Sequence, residues 1–360
     1  MKTSTIFYLL ILLSHLQCSN ETLPNLEDPD LKEYLKNEEY LPSLTGLIVG
    51  GEETNFDSLD LKVHLVQIGS PSQRTHALEI KPDGTFLFKL QEAFPYQQIW
   101  FRFDELFYCQ LIVHDSLHIE LDITKLRENS DYYINPAVKF TGSDAEMNQY
   151  LNSYIKFKPN EKNDILGEVI KTIRSFDLSL LKKLEALDSL NIALYNIENE
   201  FILSNTSDYS EFLINERLSD YYGYQFMAHS NQEIDHSLLE KALKHHPIAV
   251  SNSSSAYYRY LSFVVLMGSP RKHKEAIIEV LEELSHDNNQ FSIMLGQYKR
   301  YLNGEEYLLD TIKNIQKDIW TNHQEDVLEK KWMAGIEEFK YLEPVKLDLI
   351  KIYGTPRRRG

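Results

Sequence analysis

Cysteine is scarce in this chain: 360 residues hold two, Cys18 and Cys109. That excludes a disulfide-rich scaffold, a four-cysteine zinc site and a self-contained two-cysteine redox motif. Basic charge is also short. Lys and Arg number 37 against 54 Asp and Glu, a formal net charge of −17. Phosphate contacts need clustered cations, so nucleic acid is excluded as the main partner. After the N-terminus there is no run of about 20 apolar residues, which excludes a polytopic membrane protein. The local motifs of common active sites are missing too: Gly-x-Ser-x-Gly, His-Glu-x-x-His, a phosphate-binding glycine loop and Gly-x-Gly-x-x-Gly. The acid pairs Glu282-Glu283, Glu305-Glu306 and Glu337-Glu338 are adjacent residues. On a helix adjacent residues point in different directions and do not form an acid/base pair. No catalytic, cofactor or metal residue emerges, and the expectation leans away from an enzyme.

What is present is globular composition, 42% hydrophobic and 25% charged, at a length suited to about two domains. The first residues have the layout of a secretory signal. Lys2 gives a positive start, Ile6 to Leu13 is an apolar stretch too short to span a bilayer, and a polar stretch follows. Cys18 stands where a bacterial lipoprotein signal would end, and lipidation there would anchor the protein to a membrane. The preceding His15-Leu16-Gln17 departs from the Leu-small-small pattern, so ordinary cleavage nearby, with Cys18 incidental, is the alternative. Residues 19–43, with Pro24, Pro29, Pro42 and many acids, read as a solvated tether. The sequons at Asn20, Asn205 and Asn252 matter only in a eukaryotic secretory pathway.

From Leu44 to Phe140 apolar residues recur with period two. Short strands are expected at 61–67, 76–80, 85–90, 98–103, 109–113 and 116–123, with Pro82-Asp83-Gly84 as a turn from which Thr85–Leu90 returns. That spacing predicts an antiparallel β-sandwich over 44–141. Cys109 lies inside an apolar strand and reads as a buried structural thiol. His114 and His118 are four apart, about 13 Å along a strand, too far to share one metal ion unless Asp115-Ser116 turns the chain.

Thr141-Gly142-Ser143-Asp144 breaks the pattern, and Ser143 with Glu146 fits a capping box. Helical spacing then runs almost to the end: 145–157, 165–190, 193–204, 208–229, 237–246, 255–267, 274–285, 305–320 and 324–339. This predicts an all-α region over 142–353, without a tetratricopeptide consensus, and a basic tail at 354–360. The tyrosines of this half, among them Tyr209, Tyr221, Tyr222, Tyr224, Tyr257, Tyr258, Tyr260, Tyr298 and Tyr301, read mainly as packing residues, with an aromatic binding groove as the alternative. His245-His246 before Pro247 reads as a helix C-terminus where cations face the dipole.

One combination resembles a known family. The lipoprotein-like signal is followed by Asp83-Gly-x-Phe86, then Asp115-Ser-Leu-His-Ile-Glu120, then Val138-Lys-Phe-Thr-Gly-Ser-Asp-Ala-Glu-Met-Asn-Gln-Tyr-Leu151 and a helical region. This is similar to the N-terminal portion of TlpA-like thiol-disulfide oxidoreductase lipoproteins of Bacteroidetes. In that family the order is signal, β-sandwich, helical region and thioredoxin-like domain. The redox site there is a Cys-x-x-Cys, which this chain does not contain; Ile350 to Gly360 stands about where the thioredoxin-like domain would begin. The resemblance therefore implies the accessory half of such a protein and no catalytic residue on this chain.

The expectation is an α+β protein of two domains, an antiparallel β-sandwich followed by a helical domain. It is exported to the bacterial cell envelope, periplasm or outer membrane, and held by a lipid on Cys18. It acts without a cofactor as a binding or scaffold module, with room for a protein partner in the envelope. An incomplete or partner-dependent thiol-disulfide oxidoreductase, and a surface glycan- or peptide-binding protein, are the alternatives.

Overall fold

The computed structural model describes residues 41–50, 56–70, 72–90, 96–229, 234–267, 270–305, 307–340, 342 and 344–354. The export signal, Cys18, nearly all of the tether and all but the first residue of the basic tail lie outside the described residues.

The protein is α+β, with strands first and helices afterwards. The strands are β1 (Ser43–Val49), β2 (Leu61–Leu65), β3 (Arg74–Ala77), β4 (Thr85–Lys89), β5 (Gln97–Phe103), β6 (Phe107–Val113), β7 (Ser116–Asp122) and β8 (Val138–Thr141), with a short helix α1 (Ile123–Glu128) before β8. They form two four-stranded sheets, β4-β1-β7-β8 and β3-β2-β5-β6. The alternation seen in the sequence decides which side chains point inward. Ile99, Phe101 and Phe103 of β5 are fully buried, as are Leu117, Ile119 and Leu121 of β7 to within 1%. Inward residues of both sheets belong to one hydrophobic cluster, with Cys109 inside it.

Two expectations about the strands need correction. The first sheet is mixed, because β1 and β7 pair in parallel from Ser43↔Ser116 to Val49↔Asp122. Thr85–Lys89 does not return along β3. It crosses to the other sheet and pairs with β1. Gly84, at φ +81°, makes that departure possible, and Asp83 fixes the turn by accepting from the Thr85 N–H at 3.0 Å.

The helices are α2 (Ala145–Lys156), α3 (Pro159–Arg174), α4 (Leu180–Ser204), α5 (Ser210–Ala228), α6 (His236–Lys244), α7 (Asn252–Met267), α8 (Pro270–Ser285), α9 (Asn289–Leu302), α10 (Leu309–Asn322), α11 (Gln324–Glu338) and α12 (Pro344–Gly354). The stretch 165–190 was expected as one helix; it breaks at Ser175, and Ser179 caps α4 by accepting from the Lys182 N–H. α9 and α12 had no counterpart in the sequence reading. The Ser143/Glu146 capping box does not form: Asp144 is the N-cap without a side-chain cap bond, and Ser143 bonds Asp115 and Ser116 instead.

α2 is fastened to the free edge of β6. Ile112 N–H donates to Asn148 Oδ1 at 2.7 Å, and Asn148 Nδ2 donates to Ile112 O at 2.8 Å. Asn152 repeats the pair with Gln110, at 3.2 and 2.7 Å. One position earlier in the series, Asp144 Oδ2 accepts from the N–H groups of His114 and Asp115. Four helix residues rise about 6 Å and two strand residues about 6.6 Å. Asp144, Asn148 and Asn152 therefore stay in step with alternate residues of the strand, and the edge's backbone groups are covered. Further tethers join Val250, just before α7, to β5: Gln98 N–H donates to Val250 O, and Val250 N–H donates to Tyr96 O.

Candidate functional site

These tethers set helices α2 to α5 over the outer side of β5 and β6 and leave a cavity of about 670 Å³ between them. That volume is in the range of small-molecule sites. Its β side carries Gln98, Trp100 and Gln110, and the loop before β8 adds Tyr132 and Tyr133. Trp100 stacks on Tyr108, ring centroids 5.4 Å apart and 11° from parallel, and Tyr132 and Tyr133 meet Tyr108 edge-on. The helical side contributes aliphatic surface from Leu151, Leu166, Leu187 and Leu194 alongside aromatic and charged side chains.

Two carboxyls mark the helical side, Glu216 and Asp220, four residues apart on α5 and therefore on one face. Gly223 explains how α7 reaches them. A Cβ there would lie 3.2 Å from the Tyr257 backbone nitrogen, so glycine lets α5 and α7 come close. The start of α7 is fixed by a reciprocal cap, Ser251 N–H to Ser254 Oγ at 2.9 Å and Ser254 N–H to Ser251 Oγ at 3.1 Å. Ser251 Oγ donates to Glu216 Oε1 at 2.8 Å, and Ser253 hydrogen-bonds both carboxyls.

Loss of water pushes both acids up: Glu216 to about 8, with repulsion from Asp220 adding to it and the serines opposing, and Asp220 to about 7. Both residues are partly exposed, because the cavity opens on them, yet protein surrounds the carboxyls closely enough for desolvation to prevail. Near neutral pH the pair can therefore hold a proton and exchange it.

The cavity's other charges are engaged. Arg217 donates to Glu198 Oε1 at 3.0 Å and to Asn191 Oδ1 at 2.9 Å. Glu198 is 1% exposed; burial raises its carboxyl and Arg217 opposes that. Lys156 pairs with Asp131. Lys162 donates to the carbonyls of Tyr154 and Ile155 at the end of α2 and lies 3.9 Å from the Tyr154 ring centroid; burial lowers it to about 8.

Most of the residues singled out in the sequence fall elsewhere. Cys109 is fully buried, and burial pushes its thiol well up, so it is an inert core residue. His114 stacks on Tyr96 at 4.4 Å, while His118 Nδ1 bonds Thr45 Oγ1 at 2.9 Å; no group of three or more metal-ligating side chains occurs among the described residues. His245 does stand at a helix C-terminus, but not as a cation. Burial and the Lys346 charge lower it to about 3, and Lys346 itself takes the carbonyls of Leu243 and His245. The tyrosines divide. Tyr257 and Tyr298 are fully buried, whereas Tyr221 and Tyr224 line the cavity. Sequence reasoning missed Glu216, Asp220, Trp100 and Gln98; the signal available was two acids in helical step with Leu213 and Tyr224.

No helix among the described residues is long and apolar enough to cross a membrane. No protein-family model, curated protein or solved structure matches this chain.

Proposed function

We propose that this protein is an exported envelope lipoprotein, anchored through Cys18, that acts as a non-catalytic binding module for a small ligand held in the cavity between β5–β6 and α2–α5. The observation that supports this reading is the cavity itself. An aromatic wall, aliphatic surface and a few convergent polar groups meet in one space of about 670 Å³. Within the same proposal, the two sheets are the layers of a β-sandwich domain, the helices from α2 onward are a second domain, and the whole corresponds to the accessory half of a TlpA-like protein. The glycan- or peptide-capturing alternative draws on the same wall, since Trp100 and Tyr132 offer stacking faces.

Two measurements test the proposal. A ligand of the cavity changes the emission of Trp100, and the change is absent in Trp100→Phe, which leaves Trp320 and Trp332 in place. A broad panel of glycans, peptides and small amines without any Trp100-dependent change counts against the binding reading. The anchor predicts an acyl-sized mass on the N-terminal peptide that Cys18→Ala removes; an unmodified wild-type N-terminus defeats it.

A further inference from the structure

We propose that the Glu216–Asp220 end of the cavity receives the ammonium or guanidinium head of a small organic cation. This rests on the reading of the cavity as a ligand site and adds the ligand's charge and shape.

Of the acids on the cavity wall, Asp131 has Lys156 and Glu198 has Arg217. The third cation, Lys162, is held by two carbonyls at the end of α2 and is not paired with an acid. Glu216 and Asp220 remain, and their partners are the hydroxyls of Ser251 and Ser253. Tyr224, one turn further along α5, feels the Asp220 charge, and Tyr260 of α7 lies by Tyr224; Lys162, Glu198 and Arg217 line the same cavity from α3, α4 and α5. No cation among them acts to hold either carboxyl charged. Two neighbouring carboxyls with neutral partners suit an incoming cation, which replaces the proton they hold.

An anion is the poorer fit. The positive end of α7 is the obvious place for one, and the Glu216 carboxyl stands beside it, bonded to the capping Ser251. An inorganic metal ion fits poorly as well, because no cluster of three or more metal-ligating side chains stands here among the described residues. The aliphatic and aromatic walls call for an apolar body behind the charge, and rings such as Tyr224 and Trp100 favour organic cations.

A second observation points independently to a ligand. Gln98 is only 3% exposed and lines the cavity. Its Oε1 accepts from the Asn252 N–H at 2.9 Å, which fixes the amide. Beside it on the same wall, the indole Nε1 of Trp100 is buried and has no partner among the described residues, although a buried donor needs one. The ligand therefore carries an acceptor oxygen as well as a cationic head.

The test is calorimetric titration of the full chain at pH 8.5, where the carboxyls release their protons most readily. The probes are phenethylammonium, tyramine and phenethylguanidinium, with 2-phenylethanol and phenylacetate as neutral and anionic counterparts. The cationic probes bind about tenfold or more tightly than either counterpart, the factor expected of one charge-assisted contact. In Glu216→Gln/Asp220→Asn the preference disappears while the melting transition remains. If the double variant does not fold, Asp220→Asn alone lowers the same ratio. Equal binding of all probes, or a preference that survives in the variants, overturns the cation assignment and leaves the cavity as a ligand site. Absence of binding by every probe overturns both.

Discussion

The outward face of the strands and the cavity face of the helices handle buried polar groups in opposite ways. At the edge of β6, Asp144, Asn148 and Asn152 satisfy the backbone of one strand, and every bond is internal to the protein. On α5, Glu216 and Asp220 have serine hydroxyls as their hydrogen-bond partners among the described residues, and Trp100 leaves its indole N–H over. The first arrangement is complete within the protein, and the second faces the cavity. Buried polar groups that complete one another hold a fold together, whereas groups left facing a cavity select what enters it.

The contrast can be tested first through packing. Phe101 is fully buried between the sheets, against Phe86 and Phe107. Phe101→Ala should lower unfolding stability by about 3–5 kcal/mol. Leu194 on the cavity wall is partly exposed, and Leu194→Ala should cost under about 1 kcal/mol in the same denaturant titration. Equal losses would mean that the cavity wall is packed like the core.

Arg217→Met is expected to be comparably severe, about 3–5 kcal/mol, because it strands the Glu198 carboxylate at 1% exposure. Arg217→Met/Glu198→Leu should recover much of that loss. Asn148→Ala comes next. It leaves the N–H and C=O of Ile112 unbonded at a buried position, each worth about 1–3 kcal/mol, and hydrogen exchange at Ile112 should quicken.

The last effect is confined to pH. Glu216 and Asp220 hold protons more tightly in the folded chain, at about 8 and about 7, than in the unfolded chain, near 4. Stability from these two groups is complete below about pH 4 and is lost as pH rises through about 7 and 8. Glu216→Gln/Asp220→Asn should flatten that decline, most visibly in melting temperature between about pH 4 and 8. His245 works in the other direction. Lowered to about 3, it stays neutral while the unfolded chain gains a proton below about 6.5, so its contribution falls with acid.

Much of the strand region was legible because a half-buried strand writes its burial into alternate residues: Ile99, Phe101 and Phe103 could be placed inward from sequence alone. The parallel pairing of β1 with β7 could not, since its partners are 73 residues apart and alternation says nothing of neighbour or direction. Helices were visible through apolar spacing, but the break at Ser175 was not, because α3 and α4 carry the same amphipathic step on either side of it. His245 shows the limit of local rules: its position at a helix end was readable, while its neutrality comes from burial and then from the charge of Lys346, 101 residues on. The site depends on such long-range contacts throughout. Gln98 and Trp100 come from β5, the acids from α5 and the serines from α7, so no window of sequence contains it.

The most direct test of the cavity as the ligand site is hydrogen exchange of the full chain with and without saturating phenethylammonium. Slowed exchange is expected in α5 (Ser210–Ala228), at the start of α7 and in β5, with little change in α8 to α11. Protection confined to other segments, or none at all, would contradict it.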